Sequence, residues 1–183
     1  MSVSPRRFLS FEEYLALEET SAVRHEYVSG ATYAMTGGSI SHNRIAVSLA
    51  LIMGPGARAA GCDLFISDAR LAVDDSLVYY PDVMVCCDPD DTDDRFRRWP
   101  CLVAEVLSPG TRSVDRREKL RTYLGIPTVL TCLLVDPASL CVEAHTRTVP
   151  GAASWTHEVL DLDGELELTC PPVTVRVRDV FAP

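Results

Sequence analysis

Residues 101–107 read Cys-Leu-Val-Ala-Glu-Val-Leu, an apolar run with one carboxylate set inside it. A run that is apolar at odd and even positions alike has no side to turn to water, so it specifies an interior strand covered on both faces. Charged groups are almost never fully buried unless paired, and Glu105 is the intruder in this strand. A second run, Val83 to Cys87 in Tyr-Tyr-Pro-Asp-Val-Met-Val-Cys-Cys, is apolar in the same two-sided way. Pro81 stands where a strand can begin without its N–H, which leaves Asp82 at that strand's mouth.

An uncompensated carboxylate at Glu105 would cost several kcal/mol or would keep its proton. Three partners satisfy the physics: an arginine in an ion pair, a retained proton donating one hydrogen bond, or a divalent cation held jointly with Asp82. Magnesium takes one or two protein carboxylates, keeps several waters and binds phosphate oxygens. A bound metal also lowers the pKa of an attacking water and stabilises charge on a phosphoryl oxygen.

The stretch Ser-Val-Asp-Arg-Arg-Glu-Lys-Leu-Arg-Thr-Tyr-Leu-Gly-Ile-Pro holds Lys119, the one lysine among 17 basic side chains. Lysine is a compact point charge with a tunable pKa, whereas guanidinium is forked and permanently charged. The spacing predicts a helix over 112–124, stopped by Gly125 and Pro127. On it Asp115, Lys119 and Tyr123 form one stripe beside Arg112 and Arg116, with Leu120 and Leu124 as the buried stripe next to it. The helix follows the Glu105 strand after only Ser-Pro-Gly-Thr-Arg, so its N-terminal half lies near that strand's C-terminal end. Asp115 and Lys119 also suit an ordinary surface pair at four-residue spacing.

Elsewhere, Ser10 and Glu13 form a capping box opening a helix over about 11–20. Arg24 to Met35 reads as a hairpin turning at Ser29-Gly30. Residues 43–60 carry helical spacing, with Gly54-Pro55-Gly56 as an early stop. Segments 62–73 and 76–87 are extended, 88–100 is a charged loop, and strands follow over 128–136 and 141–147. The tail gives short strands around Asp163-Gly164, a Pro-Pro break and a final extended piece. The order predicts one α/β (α+β) domain spanning 1–183, a mixed sheet flanked by helices, with a core over about 8–146 and C-terminal strands over 155–181.

The net charge of −9 counts against a protein that coats nucleic acid, whose affinity comes from neutralising phosphates. Residues 95–121 nevertheless carry eight basic side chains against three acidic ones. Seven cysteines with no C-x-x-C pair argue against a disulfide framework or a zinc ribbon and for buried free thiols. No apolar run reaches the roughly 20 residues that span a bilayer. The N-terminus turns acidic where a signal peptide needs its apolar segment, so a cytoplasmic location is expected.

The ordered set "RHEYVSGATYAM…SHNRI", "SDARLAV", "YYPDVMVC", "LVAEVLSPGT", "DRREKLRTYLGIP" and "LLVD" resembles the Uma-two family, endonuclease-like proteins of the PD-(D/E)XK restriction-endonuclease-like superfamily. The resemblance implies a restriction-endonuclease-like core and Mg²⁺-dependent hydrolysis of DNA, with Mn²⁺ as a substitute ion. Asp82 and Glu105 would be metal ligands. The superfamily pattern places lysine two residues after the second acid, where this chain has Leu107, and the resemblance implies that Lys119 supplies the ammonium instead. Glu26 aligns with an acidic position near the family's active site, and Asp68 is a weaker candidate. Relatives commonly read Glu-Tyr where this chain has Thr131-Cys132. A homodimer is expected, one site per DNA strand. The rival reading is a catalytically silent scaffold with Glu105 paired to an arginine. A Ser/His or thiol hydrolase is disfavoured because Glu-Val-Leu-Ser-Pro-Gly lacks a nucleophile elbow.

Overall fold

The computed structural model describes residues 8–110 and 112–182; the basic stretch before Phe8 lies outside the described residues. The two apolar runs form the middle of a six-stranded mixed sheet. Strand β6 (Val83–Cys86) lies antiparallel to β7 (Pro100–Val106), and β7 runs parallel to β8 (Thr131–Asp136). Every residue of these three strands is buried, as their two-sided apolarity requires. Strands β3 (Asp63–Ile66), β9 (Cys141–Thr146) and β10 (Thr156–Leu160) complete the order β10-β9-β8-β7-β6-β3.

Helix α2 (Ile40–Ala59) covers one face, placing Ile45, Leu49, Met53 and Ala57 against Val83, Val85, Leu102 and Ala104. The hairpin of β11 (Glu165–Thr169) and β12 (Pro172–Arg176) and helix α5 (Val177–Val180) join that layer. The expected stop at Gly54-Pro55-Gly56 does not occur, since α2 continues to Ala59. Burial of Ala57 and the seat of Gly56 against the C-terminal hairpin outweigh local propensity there. A Cβ added to Gly56 would stand 2.9 Å from the Pro172 carbonyl oxygen. Gly56→Ala should therefore destabilise the protein by about 1–3 kcal/mol in chemical denaturation, despite alanine's better helix propensity.

The other face is covered by the β7–β8 crossover. It begins as α3 (Arg112–Val114), widens into a π-helical turn over Asp115–Lys119 and continues as α4 (Leu120–Gly125). Tyr123, Ile126 and Val129 pack there with Met84, Val103 and Cys132. A second sheet, ordered β2-β1-β5-β4, consists of β1 (His25–Val28), β2 (Ala31–Ala34), β4 (Leu71–Asp74) and β5 (Leu77–Tyr79). The β1–β2 hairpin turns at Ser29 and Gly30, both at positive φ, as the sequence foretells. Helix α1 (Phe11–Thr20), with the expected capping box, packs Tyr14 and Leu15 on this sheet. Buried Glu18 fastens it there, accepting from Tyr80 Oη at 2.6 Å and contacting His25 Nδ1 at 2.8 Å.

The cysteines depart from expectation. Cys62 is bonded to Cys87 and Cys101 to Cys170, leaving Cys86, Cys132 and Cys141 as free thiols. Spacing rules register cysteines that are neighbours in sequence, whereas these four meet only through the tertiary fold.

Candidate active site

Strand pairing sets the first two acids side by side. Val83 lies opposite Ala104, and continuing that antiparallel register by one residue puts Asp82 across from Glu105. Asp82 bends over the strand end, where its Oδ2 accepts from the Val106 amide at 2.7 Å and its Oδ1 lies 2.8 Å from His42 Nε2. Glu105 is 3% exposed and faces the crossover helix. Its Oε1 accepts from Tyr123 Oη at 2.6 Å and from Lys119 Nζ at 3.3 Å. Of the partners considered for this carboxylate, arginine is displaced by lysine and a tyrosine hydroxyl.

Lys119 is the centre of the arrangement, itself only 6% exposed. Its ammonium stands 2.7 Å from Glu26 Oε1, 3.3 Å from Glu105 Oε1 and 3.5 Å from Asp115 Oδ1, over the ring of Tyr79. Glu26 arrives from β1 of the second sheet, so this one ammonium joins both sheets and the crossover. The Asp115–Lys119–Tyr123 stripe is the buried one, and Leu120 and Leu124 are only partly covered, which reverses the expected order of burial. The surface-pair reading of Asp115 and Lys119 is corrected accordingly.

Two further ion pairs hold the helix in place. Arg112 forks onto Asp136 with contacts of 2.9 and 2.7 Å, docking the start of α3 on the end of β8. Arg116 pairs with Glu143 of β9. Arg95 and Arg98 are likewise paired, with Glu12 and Asp93 and with Asp75 respectively. The basic excess read over 95–121 is thus largely matched by acids from elsewhere in the chain. Arg117 and Arg121 are exposed on the helix. Asp68 is an exposed residue whose carboxylate lies 4.0 Å from Arg24, next in sequence to Ser67, whose amide donates to the Asp82 carbonyl at 3.1 Å.

The electrostatics follow from burial. Desolvation pushes the Glu105 carboxyl up to about 8; Lys119 opposes this, while Asp82 and Asp115 add to it. Burial works against the charged form of Lys119, but Glu105, Glu26 and Asp115 outweigh it and raise its pKa. The Asp82 hydrogen bond raises His42 against the effect of burial. Four carboxyl groups thus share one ammonium and one imidazole. Asp115 Oδ1 is buried without a hydrogen bond, its nearest cation being the ammonium of Lys119. Glu26, Asp82 and Asp115 add carboxylate oxygens beside Glu105, the donor type that a hard divalent cation takes. Lys119, held charged, cannot act as a base; it can fix an anion or orient a water.

Asp82, Glu105 and Lys119 stand out in the sequence because each breaks a local pattern. Glu26 was reached there only through the resemblance. The hydroxyl of Tyr123 and the imidazole of His42 were not assigned roles; Tyr123 gave a faint signal by sharing the Asp115–Lys119 stripe.

The family model described as "Uma2: Putative restriction endonuclease" matches residues 11–177. Two proteins of Synechocystis sp. (strain ATCC 27184 / PCC 6803 / Kazusa) are similar over most of their length. Uncharacterized protein slr1290 is 39% identical over 145 residues, 78% of this chain and 76% of that protein. Uncharacterized protein sll1609 is 31% identical over 174 residues, 92% of this chain and 97% of that protein. The crystal structure of a "putative nuclease belonging to DUF820" from Anabaena variabilis ATCC 29413 matches with a TM-score of 0.72 at 17% identity, covering 94% of this chain and 97% of that one. At that identity the likeness is one of fold.

Proposed function

The chain belongs to the Uma2 family, and from that premise we propose that it is a metal-dependent endonuclease hydrolysing phosphodiester bonds of DNA. The observation that carries this reading is the buried Lys119 ammonium held among Glu26, Glu105 and Asp115, with Asp82 across the strand pair from Glu105. Asp82 and Glu105 would hold Mg²⁺, or Mn²⁺ in its place. When bound, the ion supplies charge stabilisation at the phosphoryl oxygen and a more acidic water. Lys119 takes the place that the superfamily pattern gives to a lysine two residues after the second acid. Its fixed positive charge orients the water or stabilises charge at the phosphorus. Glu26 keeps the ammonium in position, Tyr123 fixes the rotamer of Glu105, and His42 holds Asp82. Exposed Arg117 and Arg121 supply phosphate contacts at the rim. A homodimer would present one such site to each strand. Among the described residues no helix is long and apolar enough to cross a membrane.

The silent-scaffold reading draws on one observation: Lys119 is already matched by three carboxylates, a network that holds together by itself. Calorimetric titration with Mg²⁺ or Mn²⁺ separates the two. The nuclease reading expects a site that Asp82→Ala removes, together with metal-dependent cleavage of plasmid DNA that the same change abolishes. A protein that takes up no ion, or whose uptake and cleavage are untouched in Asp82→Ala, would be a scaffold or would use another site.

A further inference from the structure

The four cysteines bonded in pairs form a single sulfur cluster. Cys62 follows α2, Cys87 follows β6, Cys101 lies in β7 and Cys170 sits in the β11–β12 turn. Cys87 Sγ is 3.1 Å from Cys170 Sγ and 3.6 Å from Cys101 Sγ, although it is bonded to neither. The sulfurs of Cys62, Cys87 and Cys170 all lie within 4.8 Å of one another. Cys62 and Cys101 are buried and Cys87 and Cys170 partly covered, in the layer beneath α2 and away from the Glu105 cluster. Two structural disulfides have no need to touch, whereas four thiolates around one ion must.

We propose that the reduced form of this cluster is a structural Zn²⁺ site with Cys62, Cys87, Cys101 and Cys170 as ligands. Zinc bound tetrahedrally by thiolates has Zn–S distances near ~2.3 Å, so its sulfurs stand about 3.8 Å apart. The two non-bonded spacings from Cys87, 3.1 Å to Cys170 and 3.6 Å to Cys101, are already close to that size, and Cys62 would have to move toward Cys101 to complete the set. The two states exclude each other, because a sulfur in an S–S bond carries no thiolate charge to donate. Passage between them balances with two molecules of a dithiol reductant. Each delivers two electrons and two protons to one disulfide and leaves as its own cyclic disulfide, freeing four thiols in all. Zinc binding then expels the thiol protons to solvent. In either state the cluster ties the C-terminal hairpin to one end of the β6–β7 strand pair. The proposal is independent of the nuclease reading.

The test uses the full chain, reduced by a dithiol and freed of it without oxygen, then titrated with Co²⁺ and Zn²⁺. One Co²⁺ per chain is expected, with a thiolate-to-cobalt charge-transfer band that Zn²⁺ abolishes. The oxidised protein should take up none at this cluster. Cys87→Ser and Cys170→Ser should each weaken binding at least about tenfold. Zn²⁺ should also raise the melting temperature of the reduced wild type, a readout that requires no variant to fold. Absence of the band in the reduced wild type, an undiminished band in Cys87→Ser, or no gain in melting temperature would overturn the proposal. So would uptake with nitrogen and oxygen ligands alone, which would point to Glu143, His145 and His157, the other group among the described residues whose donor atoms converge.

Discussion

Lys119→Met should lower folding stability by about 3–5 kcal/mol, the usual consequence of removing one partner from a buried charged group. The methionine would fill much of the same space, so the loss comes from charge rather than from a cavity. Glu26, Glu105 and Asp115 would face one another with their shared cation gone. For a chain of this size the melting temperature should fall by about 10 °C near neutral pH. The deficit should shrink in acid, where the carboxyls neutralise themselves. Lys119→Arg should restore the charge without restoring cleavage, because a forked guanidinium does not fit a 6% exposed site shaped around a point charge. Thermal melts at two pH values with plasmid cleavage alongside would check all three outcomes. A methionine variant as stable as the wild type would mean that the acids find other partners.

Glu105→Gln should behave in the opposite way, losing activity while keeping the fold. Glutamine reproduces the shape of the protonated acid and still accepts from Tyr123 Oη, so the packing is preserved. Losing a metal ligand should exceed the 10–100-fold effect of losing an outer-shell partner, giving a fall of about a thousandfold in cleavage. Stability supplies a second readout. The native carboxyl titrates at about 8, against 4.5 for the ordinary group. Between those values the folded protein keeps a proton that the unfolded chain has released, so the contribution of Glu105 to stability falls as pH rises through that window. The glutamine variant lacks this dependence and should gain on the wild type from pH 5 to 8. Parallel stability curves would refute the buried-carboxyl assignment, and unchanged cleavage would remove Glu105 from the chemistry.

The sequence made the site legible where a residue violated its surroundings. Glu105 in an apolar strand and Asp82 at the head of another could be found because apolar patterning admits few excuses for a charge. Lys119 was conspicuous by composition. Partners that violate nothing stayed hidden. Glu26 lies in an unremarkable hairpin, and His42 opens a helix where a polar side chain is ordinary. Glu18, almost fully buried, looked like one more acid on an amphipathic helix. The mixed sheet, the β1–β2 hairpin and both long helices followed from local signals. The division into two sheets did not, since it rests on the pairing of β1 with β5, fifty residues away. The sulfur cluster was missed for the same reason: four separate positions converge only once α2, the central strands and the C-terminal hairpin have docked.

The π-helical turn over Asp115–Lys119 has a geometric consequence for the cluster it carries. On an uninterrupted α-helix, side chains four apart advance by about 40° around the axis, so the first and third members of an i, i+4, i+8 series diverge by about 80°. One wider turn absorbs that drift. Asp115 and Tyr123 are thereby brought back into phase, one reaching the ammonium and the other the Glu105 carboxyl from a single line of approach. A shortening of this segment by one residue would leave every atom of the site in the chain yet rotate half of them away from it.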